Sequence, residues 1–280
     1  MIPDGQVHIV SQEERGSFMN QELLKLDQVS KTFRNDKGHA IQAVKEVSFR
    51  VMRGHSIGIV GESGCGKSTL ARLITGLTPL DAGEILLEGN RICGLSGKAQ
   101  RQVYRQIQMV FQDPYSAISP RMPVGTFLTE GLVHFGMISR KEAGKEAERL
   151  LQMVDLEPQL SQRLPHQLSG GQLQRVVIAR AISIHPKLVI LDEATSALDV
   201  SVQEQILELL VRLQKEYALT YLFIGHDLAV VRSITEEILV MKNGAIVEKL
   251  PAKTLVRDAR EDYTKQLLSA VFSVREFQEP

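Results

Sequence analysis

His55-Ser56-Ile57-Gly58-Ile59-Val60 is a short apolar run that passes without a break into Gly61-Glu62-Ser63-Gly64-Cys65-Gly66-Lys67-Ser68-Thr69. This junction narrows the folds open to the chain more than any other feature. The run has the length and composition of a buried strand. Lys67 to Thr75 then has helical character and is ended by Gly76 and Pro79. A strand feeding a glycine-rich turn that opens a helix is the context in which G-x-x-x-x-G-K-[ST] cradles phosphate. Gly61, Gly64 and Gly66 permit backbone conformations closed to other residues, and a close approach by the ligand. Successive N–H groups then face one anion from a helix N-terminus, whose dipole favours negative charge. Lys67 is expected to reach the β- and γ-phosphates of a nucleotide, and Ser68 to offer a hydroxyl to Mg²⁺. Glu62, Ser63, Cys65 and Thr69 complete the nucleotide-binding set. A glycine-rich turn with no ligand is the competing reading, and the flanking strand and helix speak against it.

Two later segments extend the chemistry. Leu188-Val189-Ile190-Leu191-Asp192-Glu193 places two carboxylates directly after four apolar residues. A buried strand that delivers acids at its C-terminal end is where an α/β sheet holds its ligands. Asp192 is expected to hold Mg²⁺ through water, and Glu193 to polarise an attacking water as general base. Solvated acids at a strand end would look the same in isolation, but Lys67-Ser68 upstream favours the catalytic role. Between these regions lies Leu168-Ser169-Gly170-Gly171-Gln172, where Ser169, Gly170 and Gly171 open a helix read as Gly171 to Ser183. Its hydroxyl and N–H groups form a second helix start able to face an anion.

Alternation predicts strands over Leu24–Val29 and Val44–Val51. Further strands are expected at Leu188–Leu191, Thr220–Ile224, Glu237–Met241 and Ala245–Glu248, with a helix over Val202–Tyr217. Strands alternating with helices imply an α/β fold, a largely parallel sheet covered on both faces. Residues 113–167 differ. Ala143, Ala147, Leu150, Leu151 and Val154 recur at helical spacing with charges between them, which predicts an inserted helical subdomain. Residues 1–20 are expected to be a flexible leader, with Met19 a candidate internal start. The tail from Ala252 carries an amphipathic helix near Tyr263 to Val271.

Lys plus Arg equals Asp plus Glu at 33 each, so no basic field draws nucleic acid non-specifically. No apolar run approaches the roughly 20 residues of a membrane-spanning helix. Met1 to Arg15 is polar and lacks the apolar core of a signal peptide. Cys65 and Cys93 are too few for a disulfide framework and suit a reducing compartment. A chain with these properties is expected in the cytoplasm, held at a membrane only by a partner.

The stretch from about Leu23 to Glu248 resembles the nucleotide-binding subunit of ATP-binding-cassette transporters. Gly61 to Thr69, Gln112, Leu168 to Gln172, Asp192-Glu193, Ser196-Ala197-Leu198-Asp199 and His226 carry the resemblance. Val110-Phe111-Gln112-Asp113-Pro114-Tyr115-Ser116, then Pro120-Arg121-Met122, is similar to the dipeptide, oligopeptide and nickel importer group. Tyr263-Thr264-Lys265-Gln266-Leu267-Leu268-Ser269-Ala270 is similar to that group's C-terminal segment. The implied fold is a P-loop NTPase of this type, with an antiparallel β subdomain and an inserted helical subdomain. Its RecA-like catalytic core and β subdomain would take residues 21–112 and 168–250, the helical subdomain 113–167, and a short C-terminal extension 251–280.

The resemblance implies ATP and Mg²⁺ as cofactors, and hydrolysis that energises import of peptides, nickel or metal chelates. Phe33 would stack on adenine, although an ordinary strand-core phenylalanine remains open. Gln112 would sense Mg²⁺ and the attacking water where the core meets the helical subdomain, and His226 would contact the γ-phosphate. Ser169, Gly170, Gly171 and Gln172 would cover the γ-phosphate bound by an opposite subunit, with Asp199 in a loop crossing between the two. The implied partners are two membrane permeases, a second related ATPase in preference to an identical one, and, indirectly, an external solute-binding protein. The implied location is the cytoplasmic face of the cell membrane, as a peripheral subunit.

Several positions depart from the family pattern. Gly225 stands where serine is frequent, and Leu173 follows the signature where arginine or glutamine is common. Leu173-Gln174-Arg175 is similar to nickel-type members. Glu261-Asp262 precedes Tyr263 where peptide-type members have His-Pro. No cysteine set follows, so the iron–sulfur cluster of some relatives is not expected. The alternative is a non-transport cassette ATPase of the DNA-repair or translation-factor type. Short spacing between Gln112 and Ser169, a single cassette and neutral charge all oppose it.

Overall fold

The computed structural model describes residues 21–34 and 38–271. The expected leader, residues 1–20, and the end of the C-terminal extension, residues 272–280, lie outside the described residues.

Two sheets organise the chain. The first is antiparallel and has the order β2-β1-β4-β5, formed by β1 (Glu22–Arg34), β2 (Ala40–Met52), β4 (Ala82–Leu87) and β5 (Asn90–Arg91). In β1, Leu24, Leu26 and Val29 are all buried, although strict alternation would turn Val29 outward. Gln28, at φ 50°, is the reason: the register shifts between Leu26 and Val29, and the extra residue re-phases the strand.

The second sheet has the order β10-β9-β3-β8-β7-β6. It is built from β3 (Ser56–Val60), β6 (Ile107–Val110), β7 (Leu188–Asp192), β8 (Thr220–Gly225), β9 (Glu237–Lys242) and β10 (Ala245–Pro251). Every pairing is parallel except the β9–β10 hairpin. That hairpin turns through Asn243-Gly244, both at positive φ, the two-residue turn such dipeptides favour. All residues of β3, β7 and β8 are buried, as expected of parallel strands covered on both faces. Alternate residues of β7 serve different cores. Val189 and Leu191 join the one beneath the helical layer, and Leu188 and Ile190 join the one between the sheets. Each such side chain contributes about 1.5–3 kcal/mol by leaving water.

The helices are α1 (Lys67–Ile74), α2 (Gly97–Gln106), α3 (Pro114–Ala117), α4 (Val124–His134), α5 (Ala143–Met153), α6 (Gly170–Ser183), α7 (Val200–Tyr217), α8 (Leu228–Ile234), α9 (Leu255–Asp258) and α10 (Asp262–Val271). α5 buries Ala147, Leu150 and Leu151, the face its spacing predicts. α4 escapes a pattern reading, because Val124-Gly125-Thr126-Phe127-Leu128-Thr129-Glu130-Gly131 mixes glycine with β-branched residues of low helix propensity. Packing supplies what propensity lacks. Gly125 lets α4 approach the segment after α5 so closely that an added Cβ would stand 3.0 Å from the Ser161 carbonyl oxygen.

α6 packs on both α4 and α5, so the helix that begins at Ser169 belongs as much to the helical layer as to the core. A charged fork reinforces this joint. The Asp155 carboxylate, just after α5, accepts from Arg175 of α6 at 3.3 Å and from Arg212 of α7 at 2.8 Å. The same arginines donate to the Val154 and Met153 carbonyls at 3.0 and 3.1 Å.

Candidate active site

β3, β8 and β7 are neighbours and parallel, so the residues that follow them emerge on one edge of the sheet. Gly61 follows β3, Glu193 follows β7 and His226 follows β8. The topology alone therefore gathers three distant segments.

The phosphate loop is held from outside as well as within. Gly66 caps α1 at φ 113° with no side-chain cap bond, so the first N–H groups of the helix stay free for a ligand. A Cβ on Gly61 would lie 2.1 Å from the Met241 carbonyl oxygen, and one on Gly66 would lie 2.2 Å from that of Ala43. The Gly244 N–H of the β9–β10 turn donates to the Cys65 carbonyl at 2.9 Å. Lys67 is buried, and its Nζ donates to the Gly61 and Glu62 carbonyls at 2.7 and 2.9 Å, with the Cys65 Sγ at 3.9 Å. Burial pushes the Cys65 thiol up against the pull of Lys67. A buried ammonium needs strong partners. Two neutral carbonyls make a weaker set than phosphate oxygens, so the loop fits an anionic ligand.

Ser68 donates its hydroxyl to Asp192 Oδ1 at 3.1 Å, joining the first turn of α1 to the end of β7. Burial holds the Asp192 carboxyl above the usual carboxylate range, with the Ser68 hydrogen bond pulling the other way. A hydroxyl and a carboxylate are hard oxygen donors that suit Mg²⁺, which commonly takes one or two protein oxygens and completes its shell with phosphates and water. No cluster of three or more His, Cys, Asp or Glu that could hold a metal occurs among the described residues.

Glu193 lies one residue beyond β7, at φ 50°, with its N–H donating to the Ile224 carbonyl at 2.9 Å. Its carboxylate stands 3.5 Å from His226 Nδ1. Asp227 fixes the turn behind His226 by capping α8 through the N–H groups of Ala229 and Val230. Gly225 has a local reason, because a Cβ there would meet Val231 at 2.8 Å. Gln112 Nε2 donates to Ser196 Oγ at 3.3 Å, and Ser196 Oγ donates to the Glu193 carbonyl at 3.0 Å. Ser196 is thus a link that the motif spacing did not assign. A cleft of about 90 Å³ borders Glu193, Ser196 and His226, with room for a few waters. A larger groove, about 800 Å³, lies along Leu207, Val211 and Ile234 and includes none of these residues.

Two expected elements stand apart from this cluster. Ser169 caps α6, which starts at Gly170. Its Oγ accepts the Gln172 N–H at 3.2 Å, and Gln172 Oε1 accepts the Ser169 N–H at 3.0 Å. The Gln172 side chain is therefore engaged in its own helix cap, while the Ser169 hydroxyl keeps its proton to donate. Leu173 is fully buried in the core, so its departure from the family pattern reports packing. Phe33 sits on β1 opposite Ile41 of β2 and is 42% exposed, with Lys31 Nζ 5.5 Å from its ring centroid. It is not a strand-core residue.

Residues 44–196 match the family model described as ABC transporter. The glutathione import ATP-binding protein GsiA of Pectobacterium atrosepticum is 46% identical over 231 residues, which cover 82% of this chain and 37% of that protein. This chain thus spans well under half of that relative. The oligopeptide transport ATP-binding protein OppF of Bacillus subtilis is 43% identical over 255 residues, covering 90% of this chain and 83% of that one. Among solved structures, a dimeric ATP-binding cassette in a post-hydrolysis state with ADP and Pi superposes with a TM-score of 0.74. It is 32% identical and covers 82% of this chain and 99% of its own.

Proposed function

The chain belongs to the ABC transporter family of ATPases, and from that premise we propose that it powers import of a peptide or peptide-like solute. The observation that carries this reading is the convergence of Lys67, the Ser68–Asp192 pair and the Glu193–His226 pair on one sheet edge. The import names of the relatives support the direction and cargo class, and give no support to the DNA-repair or translation alternative.

In this mechanism the N–H groups of the phosphate loop and the α1 N-terminus take the β-phosphate. Lys67 exchanges the Gly61 and Glu62 carbonyls for phosphate oxygens, a charge-assisted set of stronger bonds. Exposed Phe33 offers its ring to adenine. Ser68 and Asp192 would hold Mg²⁺, which would supply positive charge against the charge that develops on the phosphates. Glu193 accepts a proton from the attacking water, His226 contacts the γ-phosphate, and Gln112, through Ser196, reports the state of Glu193 toward α3 and α4.

Ser169 and the N–H groups of Gly170 and Gly171 cover the nucleotide of a second cassette, a paralogue in preference to an identical chain. Hydrolysis removes that shared contact and lets the pair open. Among the described residues no helix is long and apolar enough to cross a membrane. In this reading two permeases at the cytoplasmic face, fed by an external solute-binding protein, anchor the ATPase there as a peripheral subunit.

The test is Glu193→Gln. Turnover by the assembled transporter should fall by about 10²–10⁴-fold while ATP still binds. Labelled oligopeptide uptake should be lost and nickel uptake spared. Rapid hydrolysis in the variant would remove Glu193 as base, and loss of nickel uptake alone would replace the peptide reading.

A further inference from the structure

The backbone of the phosphate loop has a side-chain anchor from far along the chain. The Glu62 N–H donates to the Tyr263 hydroxyl at 3.0 Å, across a separation of 201 residues. Tyr263 belongs to α10, in the C-terminal segment beyond the sheet that carries the reaction. Its placement is built. The ring is 6% exposed and packs in the same core as Leu268, which is fully buried. Lys242 Nζ, at the end of β9, stands 4.5 Å from the ring centroid. The entry to α10 is fixed by Glu248 of β10, whose Oε1 accepts the Arg260 N–H at 2.7 Å. α10 then lies against α8, the helix that follows His226.

Glu62 is also where Lys67 acts, since Nζ donates to its carbonyl at 2.9 Å. The same residue is thus held from two sides, its N–H by α10 and its C=O by the lysine. These two bonds differ in what a nucleotide does to them. Lys67 must leave the Glu62 carbonyl to reach phosphate, whereas the Tyr263 bond is made to the Glu62 N–H and does not involve the lysine. Gly61 and Gly64, on either side of Glu62-Ser63, leave this part of the loop with backbone freedom to lose. An anchor that outlasts the departure of Lys67 lowers the ordering cost of binding, which is the physical content of pre-organisation.

We propose that Tyr263 is a positioning residue for the nucleotide site: its hydroxyl holds the Glu62 peptide in the receiving conformation, so docking of α10 sets nucleotide affinity. The proposal rests on the ATP reading above, and makes the C-terminal helix part of that site.

Tyr263→Phe removes the hydroxyl and keeps the ring. MgADP and MgATP binding by the isolated chain should weaken about fivefold, the worth of one net hydrogen bond. Maximal turnover of the assembled transporter at saturating ATP should stay as in the parent, giving a KM effect without a kcat effect. In the nucleotide-free chain, amide exchange at Glu62 should quicken by about the same factor, while α10 and β9 keep their protection. Unchanged nucleotide affinity overturns the proposal whatever happens to exchange. So does weakened affinity accompanied by lost protection throughout α10 and β9, which marks general loosening. The exchange measurement needs no nucleotide, so a parent chain that bound no ATP would sink the ATP reading and leave the Glu62 anchor to be judged separately.

Discussion

Gly66 and Gly170 stand at the starts of two helices, α1 and α6, and both are proposed to face nucleotide phosphate. Only one is glycine because of its own chain. Gly66 has φ 113°, and an added Cβ would collide with the Ala43 carbonyl at 2.2 Å. Gly170 has helical backbone, and the nearest atom to its Cβ would be Leu198 Cδ2 at 3.8 Å, an ordinary contact. Nothing in this fold forbids alanine there, and alanine is the better helix former. A glycine its own fold does not require is best explained by a surface that approaches from outside. On the proposed reading, the phosphate loop is a site finished within one chain, and Leu168–Gln172 is half of a site finished by another.

The largest effect should come from Gly66→Ala, where backbone strain and the clash together cost about 3 kcal/mol or more. ADP binding, followed by calorimetric titration, should weaken on the order of 100-fold. Near-parental affinity would end the contrast. Gly171→Ala should be intermediate. Its Cβ would stand 2.5 Å from Val202 Cγ1 of α7, an overpacking worth about 1–3 kcal/mol in thermal unfolding. Val202→Ala in the same chain should restore most of it, and no rescue would mean the signature is shaped by something other than α7. Gly170→Ala should change stability least, leaving it equal or raising it by up to about 1 kcal/mol. Hydrolysis by the assembled transporter should nonetheless drop. If this variant lost stability instead, the glycine would be needed at home and the comparison would fail.

What could be read from the chain follows the range of the interactions. The phosphate loop and β7 were legible because glycine spacing and a continuous apolar run are local signals. α5 was legible for the same reason. α4 was not, because its helix is imposed by packing against Ser161 and the core rather than by its own residues. Leu173 was visible as a departure but not interpretable, since only burial shows that it fills a core. The capping box that joins Gln172 to Ser169 is a local pattern, but the spacing alone did not show that the Gln172 Oε1 is engaged in it. Tyr263 meeting Glu62 joins residues 201 positions apart, beyond the reach of any periodicity.

The Asp155 fork has a mechanical meaning. Single exposed ion pairs are weak, but this carboxylate grips two arginines that also hold the carbonyls at the end of α5. The fork ties the end of α5 to both α6 and α7, so a displacement of α5 that kept these bonds would carry Arg175, and with it α6, along. In such a linkage the helical layer would act as a lever arm, with α7 as its fulcrum. The stiffness of that one joint then governs how faithfully a small displacement at one end is copied at the other.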